Sequence, residues 1–152
     1  MPDEEKEKEP YTLCIRKSEL DIYNHILADD SPLAGMSRKR AFLLAMATGH
    51  REGKYSEVLT DRETYVRNEY LTPEERAIID AIAVHLDGNL SVLSDTKRVF
   101  TIAEGYASGG LKSLYQQVFE GEYGTYSKRI EAELRNVIKK HLEGKESGKE
   151  EG

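Results

Sequence analysis

Two acidic residues stand where a carboxylate could act as an acid or a base. Asp80 lies in the run Ile78-Ile79-Asp80-Ala81-Ile82, and Glu104 lies in Ile102-Ala103-Glu104-Gly105-Tyr106. A carboxylate inside an apolar helix is expensive to ionise unless it is paired, and such perturbed acids concentrate at functional sites. The plainer reading places Asp80 on a polar edge, or pairs it with Arg76 or Arg67, and structural ion pairs of that kind are the commoner arrangement. Glu104 and Tyr106 could line a cleft beside the adjacent pair Gly109-Gly110. Adjacent glycines where apolar periodicity restarts predict a helix end, a chain reversal and a second helix start, because glycine tolerates left-handed backbone angles. Free N–H groups at such a helix start would suit a phosphate. The Gly-x-x-x-x-Gly-Lys-[Ser/Thr] spacing of a P-loop is absent, however, so a close helix–helix turn is the expectation.

Three short basic clusters lie at or near helix ends: Arg16-Lys17, Arg38-Lys39-Arg40 and His50-Arg51. Cations at the start of a helix oppose its dipole. Their placement after Ser37 therefore marks Arg38, Lys39 and Arg40, with Arg51, as candidate contacts to DNA phosphates. Solvated surface charge is the plain alternative. No aromatic residue interleaves with these clusters along the sequence, so no stacking platform for a single strand is indicated.

His25, His50, His85 and His141 are scattered, and Cys14 is the only cysteine, so no metal site and no cofactor are expected. A Gly-x-Ser-x-Gly elbow and a dinucleotide fingerprint are both absent. The balance leans away from an enzyme.

The elements that must position these residues are mostly helices. Ser18 is the expected cap of a helix running to about Ala28, with Leu20, Tyr23 and Leu27 on one face. Ser37 caps a second helix to about Thr48, apolar on all sides over 42–47, with Gly49 as its stop. Thr72-Pro73-Glu74-Glu75 is a capping box with proline at the first helical position, opening a helix that ends at Gly88. Ser94 or Asp95 caps the next. Leu111, Leu114, Tyr115, Val118 and Phe119 form an amphipathic stripe after the two glycines, and a last helix is expected over about 125–142. The prediction is a mainly α, single compact domain of five to six helices, with one short β element near the N-terminus or over residues 58–68.

The net charge of −6 is unevenly placed. Residues 1–10 hold −3 and residues 143–152 hold −2, which leaves −1 for the domain of residues 11–142. The two charged tails have almost nothing to bury and are expected to be disordered. A domain so close to neutral lacks the strongly basic footprint of a general nucleic-acid binder. No apolar run approaches the roughly 20 residues that span a bilayer, so no membrane partner is expected and a cytoplasmic location is.

Four segments carry a family resemblance: Leu44-Ala45-Met46-Ala47-Thr48-Gly49-His50-Arg51 with Gly53; Val66-Arg67; Ile79-Asp80-Ala81-Ile82-Ala83; and Leu93 leading to Ile102-Ala103-Glu104-Gly105-Tyr106-Ala107-Ser108-Gly109-Gly110-Leu111. Together they resemble the dnd system-associated protein 4 family, over roughly Ile15 to Phe119, with the helix beyond Gly124 outside the resemblance. Gly105 stands where a second acidic residue is expected, and Ser108 where Asn is. The resemblance implies a context, DNA phosphorothioation, in which sulfur replaces a non-bridging phosphate oxygen. It brings no catalytic residue with it. It implies a non-enzymatic accessory or adaptor protein that contacts other proteins of a DNA modification or restriction system. The alternatives are a DNA-binding regulator using Arg38 to Arg40, and a small enzyme with Asp80 or Glu104 in a cleft. Helices this apolar also leave self-association as a homo-oligomer open.

Overall fold

The computed structural model of the chain describes residues 11–120 and 134–141. Both segments expected to hold a β element do so, and they pair with each other. Strands β1 (Thr12–Arg16) and β2 (Arg62–Arg67) form an antiparallel two-stranded sheet. The register shifts between Leu13, opposite Val66, and Cys14, opposite Thr64, so Tyr65 is an extra residue in β2. This bulge breaks the usual alternation and buries both Tyr65 and Val66.

A 3-10 turn (Lys17–Glu19) leads into helix α1 (Leu20–Ile26). Ser18 lies inside that turn and does not cap α1. The turn is set instead by Arg16 N–H donating to the Glu19 carboxylate at 2.9 Å, and α1 stops two residues short of Ala28. Helix α2 (Arg38–Glu52) begins as expected, with Ser37 Oγ accepting from Arg40 N–H at 3.2 Å. It does not stop at Gly49. It continues for another turn, and Gly53 closes it at φ +66°. Helix α3 (Pro73–Asp87) has the complete Thr72–Glu75 capping box and ends at left-handed Gly88. A 3-10 turn (Leu90–Ser94) follows. Helix α4 (Thr96–Glu120) opens with Asp95 accepting from Arg98 N–H.

The predicted reversal at Gly109-Gly110 is absent: α4 is one helix of 25 residues running straight through both glycines. Their role is close approach rather than a turn. A Cβ on Gly49 would overlap the Tyr106 carbonyl. A Cβ on Gly110 would overlap the Ala45 carbonyl and lie 2.7 Å from Gly49 Cα. Gly109 leaves room for the Lys54 carbonyl, and Gly105 for the Tyr55 ring. The helices α2 and α4 therefore meet backbone to backbone, which is also why Gly49 is interior to α2.

The core is continuous across these elements. Leu13 and Ile15 of β1, Tyr23 and Ile26 of α1, Phe42 and Met46 of α2, Ile79 of α3 and Ile102, Leu111 and Leu114 of α4 are all fully or nearly fully buried. The architecture is the expected mainly α one. The expected tails 1–10 and 143–152 lie outside the described residues, as does most of the helix expected over 125–142. Its 134–141 portion is helical, with Leu134, Val137 and Ile138 exposed. No helix among the described residues is long and apolar enough to cross a membrane.

In an ordinary helix interior, replacing glycine by alanine gains about 0.5–1 kcal/mol. Here the sign reverses. Gly110→Ala is expected to cost about 3 kcal/mol or more, at or beyond the upper end of overpacking penalties. Gly35→Ala, strained at φ +82° but in open space, should cost about 1 kcal/mol. Urea unfolding of the two variants checks this, and equal losses would refute the close-approach reading.

Candidate nucleic-acid interface

The bulge in β2 positions the first piece of the site. It turns the Tyr65 ring inward onto Tyr23, with ring centroids 4.6 Å apart, and the Arg38 guanidinium lies 4.2 Å above the Tyr65 ring. Guanidinium over an aromatic face is favourable, which helps offset the cost of placing a cation at the start of α2. The Tyr65 hydroxyl is buried without a hydrogen-bond partner, and burial raises its pKa above the ordinary tyrosine value against the lowering influence of Arg38.

Lys39 forms the second piece. Its Nζ donates to the Tyr70 carbonyl at 3.0 Å and pairs with Glu75 at 2.9 Å. The Glu75 carboxyl is held below its usual value, first by the Thr72 N–H of the capping box and also by Lys39, with some burial acting against them. Arg67 ends β2 and reaches Glu69 at 3.6 Å from a largely exposed position. Ser37, Arg38 and Lys39 on one side and Thr64 to Arg67 with Tyr70 on the other enclose a groove of about 650 Å³. It combines the first turn of α2 with three cations and two tyrosines.

Of the candidate basic residues, Arg38 and Lys39 line this groove. Arg40 is exposed on the same turn but is not part of the lining. Arg51 does not join them: it lies 13 residues further along α2, about 20 Å away at 1.5 Å per residue. Arg16 is committed elsewhere, donating to Ser108 Oγ, to Ser56 Oγ at 3.1 Å and to the Glu57 carbonyl at 2.8 Å. Tyr70 carries no signal in the sequence that marks it as a site residue, and Arg67 is marked only by the Val66-Arg67 family segment and as a possible partner of Asp80. They reach the groove only through the β1–β2 pairing, which residue order does not reveal.

The two candidate acids sit in separate ion pairs. Asp80 accepts from Arg76 Nε at 3.1 Å on the surface of α3. Glu104, 1% exposed, accepts from both terminal nitrogens of Arg62 at 3.0 Å each, and from Cys14 N–H at 2.6 Å. The amide of Cys14 lies on β1, and Glu104 satisfies this buried strand N–H. Burial pushes the Glu104 carboxyl above its ordinary value, against the pull of Cys14 N–H and Arg62. Burial pushes the Arg62 guanidinium down, but hydrogen bonding and charge from Glu104 and Cys14 together raise it overall.

Tyr106 is buried edge-to-face against His50 and Tyr55. The histidines are less scattered than their sequence positions imply, since His50 Nε2 lies 3.1 Å from His85 Nδ1. Among the described residues, no group of three or more His, Cys, Asp or Glu side chains converges as a metal site would require.

The segment Ile102 to Leu111 thus serves packing on every side. Glu104 and Ser108 bond partners on β1 and the turn after it, Gly105 and Gly109 admit the 54–56 loop, and Gly110 admits α2. The model of the DNA sulphur modification system-associated protein 4 family matches residues 26–151, and the chain belongs to that family. The match begins after the N-terminal strand and runs through the helical segment 134–141, further than the resemblance carried by the internal motifs. No curated protein and no solved structure matches the chain.

Because the folded Glu104 pKa is raised, its contribution to stability is fully present below the ordinary glutamate value and is lost as pH rises through the folded value. Glu104→Gln removes this titration and keeps an acceptor for Cys14 N–H. The stability of the native protein relative to Glu104→Gln should therefore fall as pH rises from about 4. A gap that stays constant with pH would contradict the assignment. Glu104→Ala, which orphans the strand amide, should cost about 2–3 kcal/mol at neutral pH, measured by urea unfolding.

Proposed function

We propose that the chain is a non-catalytic accessory component of the DNA sulphur modification system, holding nucleic acid by its phosphates in the groove at the start of α2 while contacting other proteins of the system. The observation that carries this reading is the convergence of Arg38, Lys39 and Arg67 around the first turn of α2. The N–H groups and positive end of that helix suit an anion, and guanidinium groups suit phosphate oxygens. Membership of the family supplies the context of a DNA-modifying system. The chain's overall acidity does not oppose the reading, because most of the excess negative charge lies in residues 1–10 and 143–152.

A catalytic reading would call on Asp80 or Glu104. Both carboxylates are engaged by arginines in separate places, and the Glu104 oxygens also satisfy a backbone amide. A group so occupied is poorly placed to exchange a proton with a substrate. A sequence-reading regulator differs from the accessory reading in one measurable way. It would discriminate between duplex sequences, whereas phosphate contacts position without specifying.

The test is binding of a fluorescent duplex oligonucleotide over a salt series, using native protein and Arg38→Ala/Arg67→Ala. The double variant should bind at least tenfold more weakly at low salt, and its slope of log K against log salt should be smaller by about 1 for each phosphate that is no longer neutralised. Unchanged affinity and slope would remove the groove from the interaction. Recovery of system proteins with the tagged chain after nuclease treatment tests the accessory half of the reading.

A further inference from the structure

The groove holds more than cations. Tyr70, 62% exposed, borders it beside Lys39, whose Nζ is fixed on the Tyr70 carbonyl. Tyr65, its ring covered by Arg38, and Val66 also line it, with Arg67 next in the strand. Aromatic surface alternating with cations is the composition that accepts unpaired bases: each base has a face to stack, and the flanking cations take the backbone phosphates. A rigid duplex presents only its phosphate edge and has no free base face to lay on a tyrosine. The groove volume, about 650 Å³, is within the range that encloses small organic ligands and can admit a base as well as a phosphate. Aromatic and basic residues do not interleave along the chain. They interleave in space because the β2 strand and the turn after it lie against the start of α2.

We propose that this groove binds a single-stranded segment of nucleic acid, with a base stacked on Tyr70 and the adjoining phosphates on Arg38 and Arg67. The inference rests on the phosphate-binding reading above and refines it to a substrate class. Tyr70 supplies the stacking surface. Lys39, already held by Glu75 and the Tyr70 carbonyl, positions the turn that carries it.

The experiment compares fluorescence anisotropy of a labelled oligo-dT single strand and of a hairpin duplex of equal phosphate number, using native protein, Tyr70→Ala, Tyr70→Phe and Arg38→Ala/Arg67→Ala. The native protein should bind the single strand more tightly than the duplex. Tyr70→Ala should weaken single-strand binding about tenfold and weaken duplex binding far less, so that the preference for the single strand is lost, while Tyr70→Phe keeps the native preference. Because Tyr70 is exposed, thermal unfolding of Tyr70→Ala and Tyr70→Phe should match the native protein. Equal affinity for both probes, or a Tyr70→Ala variant that keeps the preference, overturns the inference. In that event the phosphate reading survives if Arg38→Ala/Arg67→Ala still weakens duplex binding. Failure of native protein to bind either probe overturns both.

Discussion

The backbone contact between α2 and α4 constrains everything built around it. At Gly49 and Gly110 the two helices come so close that no side chain fits between them. Such a contact cannot adjust by repacking, because the atoms in collision are carbonyls and amides rather than flexible side-chain ends. It fixes the depth of α2 against the long helix. The same helix face continues at Gly109 and Gly105, which draw in the 54–56 loop, with Ser56 N–H donating to the Gly105 carbonyl at 3.0 Å. Four glycines on two helices thus anchor α2, its C-terminal cap and the chain that leads to β2.

The sheet is attached by a polar lock rather than by apolar contact alone. Glu104 projects from α4 to the Cys14 amide of β1 and to Arg62 at the beginning of β2, so one carboxylate holds both strands. Arg62 extends the lock by donating to the Val58 carbonyl. Buried ion pairs contribute little net stability when weighed against apolar substitutes, but a partner left alone is costly. Their effect is therefore on register: the strands can sit in only one place relative to α4. That placement, with the bulge at Tyr65, brings β2 alongside the start of α2. The groove follows from the lock, although none of the lock's residues lines it.

Much of this is legible in the sequence where the causes are local. The Thr72 capping box, the Ser37 cap and the stripe from Leu111 to Phe119 depend on residues within a turn or two of each other, and each stands as expected. The glycines mislead because sequence shows only their conformational freedom. A glycine needed for a left-handed turn and a glycine needed for close helix contact look identical until a partner helix is placed against them. Gly53 is the former and Gly110 the latter. Asp80 finds its partner, Arg76, four residues away on the same helix, where sequence places it. The partners of Glu104 are out of such reach, because Cys14 and Arg62 lie 90 and 42 positions from it. The candidate site residues divide the same way: Arg38 and Lys39 are visible as a charge run at a helix start, whereas Arg67 and Tyr70 reach the groove only through a strand pairing.

The electrostatics of the groove suit a transient grip. Lys39 is matched by Glu75, and Arg67 has Glu69 within reach. Arg38 rests on an aromatic ring rather than a carboxylate. A polyanion entering the groove meets one cation stacked on a ring, two that must be shared with glutamates, and the positive end of a 15-residue helix. Exposed ion pairs are weak and readily exchanged, so the glutamates lower affinity without closing the site. On the proposed reading, a single site of this kind would release its ligand easily and bind more weakly as salt rises. Tight retention would have to come from elsewhere, through a second contact on an associated protein that turns the groove's binding into an intramolecular event. On the proposed reading, a weak, partly self-neutralised groove would therefore suit a component of an assembly better than a protein that finds and holds DNA unaided.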